Sequence, residues 1–378
     1  MSRATSIYQE IIPTMNLRAD MQGYIDRTQT QLYGRTMWRN YFTWGIKKGE
    51  LTFETLIGRS RNPAAASIVD KNSPAPLRSR PGLTAVSGKI PTMKEKFSID
   101  QDDYRAIDNL KNYLQGQALE DEIARLLSDD IRECSLSTDL RLDYMMLQGL
   151  STLHIDVSVI NNPDGAVFGK LPLLQPADMA THLLTVSKAW SDPTSDPIQD
   201  IRDLVLRVSA TKGLVFASMW MDNAKWFQLS QNPALKAYIT GYNNPGSNAK
   251  FVVTLDSVNE FLTANRLPVI NLVDQVIGIE SIATQADKAE PIKYQRPFEP
   301  ENVVFVPAGR LGTMHNAYVI EERAPVDGKT YATYDRALLK KWRDDDPWRE
   351  YTEIELNAFP GFEVADNIYV FQTNVAEG

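Results

Sequence analysis

The sequence has little of what most enzymes use for catalysis. Among its 378 residues there are three histidines and one cysteine. A single cysteine, Cys134, can form neither a disulfide within the chain nor a cysteine-based metal site, and we interpret it as a small buried residue of a helix. The motifs GxSxG, GxxxxGK[ST], GxGxxG, HExxH and paired CxxC are absent. The sequence therefore predicts no enzyme activity, no cofactor and no metal site.

Two further absences concern membranes and nucleic acid. The chain lacks an apolar run of about eighteen residues, and no apolar signal segment follows Met1. We therefore expect neither a membrane span nor secretion. The net charge of −8 and the pI near 5.1 argue against a protein whose whole surface coats nucleic acid. A local basic surface is still compatible with both values.

Charge is distributed unevenly along the chain. Residues 58–96, here called the basic segment, contain eight basic and two acidic residues, or about +6. Residues 98–130 contain nine acidic and three basic residues, or about −6. Five prolines and three glycines within residues 58–92 oppose helix formation. A stretch of this length without a core-forming pattern indicates either a functional loop or disorder.

Hydrophobic periodicity predicts an α+β fold. Apolar residues at spacings of three and four predict one long helix over residues 119–149, kinked near Ser135–Ser137 and ended by Gly149. Alternation at 154–160 and at 166–170, with an intervening Asn-Pro-Asp-Gly turn, predicts a β-hairpin. Further helices are predicted near 198–207, through Trp226 and Leu229 with an interruption at Asn232–Pro233, and at 255–264. Further strands are predicted at 214–220, 269–279, 303–307, 317–322, 352–359 and 367–373.

The first fifty residues contain seven aromatic side chains but no clear amphipathic pattern. Pro13 interrupts a short apolar run, which favours an extended arm with short helices. Such an arm cannot bury Trp38 and Trp44 against itself. These aromatic residues need a second surface, which is either the body of their own subunit or a neighbouring subunit.

Metal-dependent chemistry is the competing interpretation. His154 and Asp156 alternate along a strand, so both side chains lie on one face and could bind a metal together with distant acidic residues. No third ligand is close in sequence, and a solvated strand face or a cross-strand hydrogen bond is the better interpretation. Asp344–Asp346 could likewise suggest a divalent cation site, but an acidic loop surface explains this triplet better. His182 and His315 are interpreted as structural or surface residues.

Several short motifs occur in a characteristic order, although none is specific alone. The long helix ends in Leu147–Gly149 (LQG). The other motifs are Ser73–Pro76 (SPAP), Gly88–Lys96 (GKIPTMKEK), Trp190–Pro193 (WSDP), Asp196–Ile201 (DPIQDI), Asn302–Pro307 (NVVFVP) with Leu311–Gly312, Asp345–Pro347 (DDP), Phe359–Pro360 and Asn367–Val370 (NIYV). The ordered set resembles the lambda E-type branch of tailed-bacteriophage major capsid proteins. This resemblance spans most of residues 50–375.

The resemblance implies the Hong Kong 97-like capsid fold. The expected parts are an N-terminal arm at 1–50 and an extended E-loop at 51–97. A peripheral (P) domain with a long spine helix is expected at 98–178 and 340–378, and an axial (A) domain at 179–339. The implied function is a major capsid protein that self-assembles into the icosahedral shell around the DNA genome. The alternative is a tail-tube or head–tail connector protein, which also assembles symmetrically.

The resemblance also implies partners and a location. We expect hexamers and pentamers of this chain, a separate scaffolding protein, a portal and optionally decoration proteins. Double-stranded DNA would be enclosed without sequence-specific binding, with no membrane involved. The protein would reside in the virion, after assembly in the host cytoplasm. The residues expected at subunit interfaces are basic, acidic or apolar, namely Arg59, Arg61, Lys71, Leu77, Arg78, Arg80, Leu83, Asp344, Asp345, Asp346, Trp38 and Trp44.

Overall fold

The chain folds into two compact units, each assembled from distant parts of the sequence. The structure, a computed structural model, describes residues 6–60, 62, 83–243, 252–281 and 292–376. Unit 1 comprises Met1–Phe53, Ser87–Asp143 and Thr313–Gly361, and unit 2 comprises Glu54–Val86, Tyr144–Gly312 and Phe362–Gly378. This division cuts across the predicted arm, loop, P domain and A domain, whose boundaries stay a prediction.

Unit 1 is built on a six-stranded sheet. Its strands are β1 (Phe42–Lys48), β4 (Thr92–Ile99), β13 (Gly312–Ala317), β14 (Thr330–Tyr334), β15 (Ala337–Asp345) and β16 (Trp348–Phe362). The order is β1–β13–β16–β15–β14, and β4 also pairs with β16. β15 and β16 form a long antiparallel hairpin that closes at the pair Asp345 and Trp348. This hairpin includes the predicted strand at 352–359 and extends it in both directions.

The helices of unit 1 include two of more than ten residues that the sequence prediction missed. They are α1 (Ile7–Ile11), α2 (Leu17–Tyr33), α3 (Trp38–Tyr41), α4 (Gln101–Tyr113), the first part of α5 and α11 (Ile320–Arg323). The expectation of an extended arm with only short helices was wrong, because α2 has 17 residues. Asn16 caps its first turn, and Leu17, Met21 and Ile25 form a narrow buried stripe. The side-chain amide of Gln22 hydrogen-bonds the backbone of Thr333 in both directions and so protects part of the β14 edge.

The long predicted helix is confirmed, with a later end than expected. α5 runs from Gln117 to Thr152 over 36 residues and is helical throughout Ser135–Ser137. Gly149 does not end the helix. A Cβ atom at this position would lie 3.1 Å from side-chain atoms of Ile155 and Phe362, so the glycine permits close packing. The chain leaves the helix at Leu153, whose φ of 56° is left-handed.

Unit 2 is a five-stranded sheet covered by helices, and most of its elements were predicted. The strand order is β7–β17–β12–β8–β9. These strands are β7 (Leu183–Val186), β8 (Phe216–Asp222), β9 (Val269–Val273), β12 (Asn302–Pro307) and β17 (Tyr369–Ala376). The helices are α6 (Pro176–His182), α7 (Pro197–Lys212), α8 (Asn223–Gln231), α9 (Pro233–Asn243) and α10 (Leu255–Ala264). Their core includes Trp190, Phe305 and Phe371.

Three smaller two-stranded sheets complete the described strands. The predicted hairpin is confirmed as β5 (His154–Val157) and β6 (Gly169–Pro172). The predicted strand over 269–279 is two strands, because β10 (Ile277–Glu280) pairs separately with β11 (Ile292–Gln295). The predicted strand over 317–322 was wrong, since β13 ends at Ala317 and α11 follows. β2 (Thr52–Gly58) pairs with β3 (Leu83–Lys89), so part of residues 58–92 is regular strand.

Candidate interaction surfaces

The acidic triplet lies at the tip of the β15–β16 hairpin. Asp344, Asp345 and Asp346 are exposed, and Asp344 lies opposite Arg349 across the two strands. Among the described residues, Asp345 and Asp346 form no ion pair. Because the hairpin holds the tip and solvent surrounds it, these carboxylates are available to a positively charged partner.

The acidic surface of residues 98–130 is divided between α4 and the first turns of α5. Asp100 caps α4, and the backbone N–H groups of Asp103 and Asp102 lower the pKa of its carboxyl. Many other carboxylates pair locally with arginine or lysine, as in Asp102–Arg105 at 2.9 Å and Glu122–Arg125 at 2.7 Å. This surface is therefore partly neutralised within the chain, unlike the hairpin tip.

The described start of the basic segment is bound to unit 2. Arg59 pairs with Asp178 at 2.9 Å, and the backbone N–H of Ser60 donates to Asp366 at 3.0 Å. The side-chain amide of Asn62 donates to the carbonyl oxygens of Ser209 and Ala210 at the end of α7. Asp366 also pairs with Lys212 at 2.9 Å. The segment is thus anchored where it leaves β2.

The other interface candidates of the basic segment differ in what the structure describes. Leu83 is 71% exposed at the start of β3. Four basic residues and one leucine lie outside the described residues, namely Arg61, Lys71, Leu77, Arg78 and Arg80. Their interface role stays a prediction.

Trp38 and Trp44 pack within their own subunit. Trp38 is 1% exposed, and its ring centroid lies 5.0 Å from that of Trp44. The Trp44 indole N–H donates to Asp335 at 2.7 Å. Of the two surfaces considered for the arm, these side chains use the body of their own subunit. In this conformation Trp38 offers almost no surface to a neighbour.

Two buried carboxylates of α5, which the sequence analysis overlooked, hold this tryptophan region. Asp143 accepts hydrogen bonds from the backbone N–H groups of Met37 and Trp38, at distances down to 2.7 Å. Asp139 pairs with Arg39 at 2.8 Å and accepts the Tyr334 hydroxyl at 2.7 Å. Burial raises the pKa of Asp139, and the Arg39 guanidinium opposes this rise. The sequence did contain a sign of their burial, because both aspartates interrupt the apolar pattern of a predicted helix.

A third buried carboxylate, Glu350 of β16, holds the start of the described chain. It is 0% exposed and accepts hydrogen bonds from the Ser6 hydroxyl at 2.5 Å and the Ile7 backbone N–H at 2.7 Å. Lys341, also 0% exposed, lies 3.1 Å away and balances its charge. Arg343 links the same carboxylate to Glu10 of α1. Buried charges are tolerated when paired and hydrogen-bonded in this way.

His154 and Asp156 gain no third metal ligand from the described part of the chain. His154 Nδ1 lies 3.0 Å from the Thr152 carbonyl oxygen, and His154 borders a cavity of about 300 Å³ that Glu299 and Glu301 also line. Within the described ranges, no group of three or more His, Cys, Asp or Glu residues could hold a metal ion. His182 is buried and stacks on Tyr369, whereas His315 stacks on Phe53. No helix in the described part of the chain is long and apolar enough to cross a membrane.

Comparison with solved structures identifies the fold. The chain resembles the putative capsid protein of a prophage of E. coli CFT073 with a TM-score of 0.58 and 13% sequence identity, covering 94% of this chain and 98% of that one. The mature capsid of bacteriophage PhiM1 also matches, with a TM-score of 0.46, 8% identity and coverage of 90% and 88%. No curated protein matches the chain in sequence. The predicted α+β, Hong Kong 97-like fold is confirmed.

The sequence also matches a family model over most of its length. Residues 50–369 match the model described as phage major capsid protein E. The match begins near the start of β2 and ends in β17, so it includes most of both units. The predicted function of a tailed-phage major capsid protein is confirmed, and the tail-tube or connector alternative is not favoured. The chain therefore belongs to the phage major capsid protein E family.

Proposed function

We propose that hexamers and pentamers of this chain form the icosahedral shell through contacts between the basic segment and acidic surfaces of neighbouring subunits. The observation that carries this proposal is the charge separation, about +6 for residues 58–96 against about −6 for residues 98–130. Opposite potentials speed and orient the encounter of subunits more than they strengthen the complex.

The contacts of the described residues sharpen the proposed partners. Three of the eight basic residues contact their own chain, since Arg59 pairs with Asp178, Lys94 pairs with Glu355, and Lys96 lies over the Tyr351 ring. Lys89 is described and forms no ion pair with the described residues, whereas Arg61, Lys71, Arg78 and Arg80 lie outside the described ranges. On the acidic side, the hairpin tip is less neutralised than α4 and α5. We therefore propose Asp344–Asp346 as the principal partner surface, with Leu77 and Leu83 adding apolar contact. Ile90 is 2% exposed and so has almost no surface to offer a neighbour.

Charge reversal tests this contact. Arg78→Glu with Arg80→Glu should block assembly while leaving the subunit folded, as judged by electron microscopy and circular dichroism. Arg207→Glu with Arg310→Glu is the matched control, because both arginines are exposed in unit 2 and the charge change is the same. Normal shells from the first pair, or equal loss from the control pair, would contradict the proposal.

A compensating change identifies the partner surface. Asp344→Lys with Asp345→Lys, placed in the Arg78→Glu, Arg80→Glu background, should restore shells if tip and segment meet. Failure to restore them, together with normal folding, would remove the tip as the partner. Tubes in place of closed shells from the unmodified chain would contradict the shell function itself.

We further propose partners and a location beyond the shell. A separate scaffolding protein, a portal and optionally decoration proteins would act with the chain, and assembly would occur in the host cytoplasm. The net charge of −8 supports enclosure of double-stranded DNA without tight or sequence-specific binding, because like charges repel. The family is one of structural capsid proteins, which supports a chain without catalytic activity.

A further inference from the structure

The loop between β5 and β6 exposes four large apolar side chains. Their exposed fractions are 65% for Val159, 78% for Ile160, 54% for Val167 and 56% for Phe168. Single exposed apolar residues are common on protein surfaces, but four within ten residues form a cluster typical of an interaction site. None of these four side chains belongs to the basic segment, the acidic surfaces or the tryptophan region described above.

Hydrogen bonds hold this loop in one shape. The Asn161 side chain accepts the Ser158 N–H at 3.1 Å and donates to the Asp156 carbonyl oxygen at 2.8 Å. The Asn162 amide donates to the Ala166 carbonyl oxygen at 2.9 Å. From β11, the Gln295 amide donates to the Ile160 carbonyl oxygen at 2.7 Å. A pre-organised loop loses little conformational entropy when its apolar side chains become buried by a partner.

The charge pattern indicates what the partner is. Residues 157–169 contain a single charged residue, Asp164, in a chain whose net charge is −8. Copies of a chain with this net charge repel one another over most of their surface. A nearly uncharged apolar loop can approach another copy without this cost. We infer that the Val159–Phe168 loop is a contact surface between two copies of this chain.

Paired substitutions test the inference in the full-length protein. Ile160→Asp with Phe168→Asp should leave the unfolding midpoint unchanged, because both side chains are exposed, and should lower the yield of sedimenting particles by about tenfold. Leu206→Asp with Val215→Asp is the control, since these residues are 68% and 74% exposed in the same unit. Wild-type particle yield from the loop variant, or an equal loss from the control, would overturn the inference.

Thiol labelling identifies the occupant of the loop surface. Cys134 is 0% exposed and burial raises the pKa of its thiol, so a Phe168→Cys variant has one reactive thiol. Maleimide should label this thiol about tenfold more slowly in shells assembled from the purified chain than in free subunits. Equal labelling rates in shells and in free subunits would overturn the inference that a second copy covers the loop. Protection that appears only after other phage proteins are added would overturn it as well. The inference rests on the shell function but not on the basic-segment contact. If the wild-type chain forms no shells in parallel, the shell function fails. If it forms shells and the loop shows no protection, only the loop contact fails.

Discussion

At the scale of single residues, three buried carboxylates attach the N-terminal segment to the rest of unit 1. Glu350 accepts hydrogen bonds from the Ser6 hydroxyl and the Ile7 backbone N–H. Asp139 pairs with Arg39, and Asp143 accepts hydrogen bonds from the backbone N–H groups at the start of α3. Each carboxylate satisfies donors that would otherwise be buried without partners. The arm therefore has a defined place on its own subunit, held by charge-assisted hydrogen bonds as well as by aromatic packing.

Removal of one of these carboxylates should destabilise the subunit measurably. Asp143→Ala would leave the Met37 and Trp38 N–H groups without their acceptor, which costs about 1–3 kcal/mol. Chemical denaturation followed by tryptophan fluorescence would measure this loss. Asp327→Ala, at an exposed position in unit 1, should change the unfolding free energy by about 0.5 kcal/mol or less. Equal stability of the two variants would show that the Asp143 contact is not structural.

At the scale of elements, the hairpin β15–β16 has a charged cluster within its sheet. Lys340 is 3% exposed and lies 2.6 Å from Glu321 of α11, 3.2 Å from Glu353 and 2.5 Å from Glu355. Lys329 lies 2.9 Å from Glu321 as well. Burial alone would raise the pKa of Glu321, but these two lysines lower it below its ordinary value. The cluster therefore joins α11 to the hairpin through ionised groups.

The lowered pKa of Glu321 predicts a pH-dependent contribution to stability. A carboxyl group whose pKa is lower in the folded state stabilises that state above its unfolded pKa, which is about 4.5, and loses this effect as the pH falls through the folded value. Glu321→Gln should therefore lower the melting temperature more at pH 7 than at pH 3. Glu50→Gln, at an exposed position in unit 1, should cause little change at either pH. A melting-temperature deficit in Glu321→Gln that is constant with pH would contradict this assignment.

At the scale of the whole molecule, two opposing electrostatic effects act between subunits. The net charge of −8 makes free subunits repel one another, whereas the basic segment is expected to attract acidic surfaces of neighbours. Both effects weaken with salt, because the screening length falls from about 10 Å at 0.1 M to about 3 Å at 1 M. Their balance determines how the assembly rate responds to ionic strength.

This balance predicts salt dependences of opposite sign. In the wild-type chain, salt should slow the initial assembly rate, since it screens the attraction of the basic segment. In the Arg78→Glu, Arg80→Glu variant the repulsion between subunits dominates. Salt screens this repulsion and should therefore accelerate the remaining assembly. Light scattering over a salt series measures both rates. Acceleration by salt in the wild type would indicate that the basic segment does not steer subunit encounter.

Features that depend on local periodicity could be predicted from the amino-acid sequence. The stripe from Leu119 to Cys134 predicted α5, and alternation around an Asn-Pro-Asp-Gly turn predicted the β5–β6 hairpin, because neighbouring residues decide both patterns. Helix α10 was placed at Leu255–Ala264, where the structure has it. The ordered motifs likewise indicated the family that the comparison later showed.

Features that depend on contacts between distant segments could not be predicted in this way. Helix α2 lacks a wide apolar face and gains its stability by packing on β14, which follows about 300 residues later and cannot be read from local spacing. The same distance explains Glu350, whose surface-like sequence context gives no sign that Ser6 and Lys341 enclose it. The acidic triplet was visible as charge, but only the pairing of β15 with β16 placed it at an exposed tip. Composition determines which charges a chain carries, and the contacts between remote segments determine which of them are left for a neighbour.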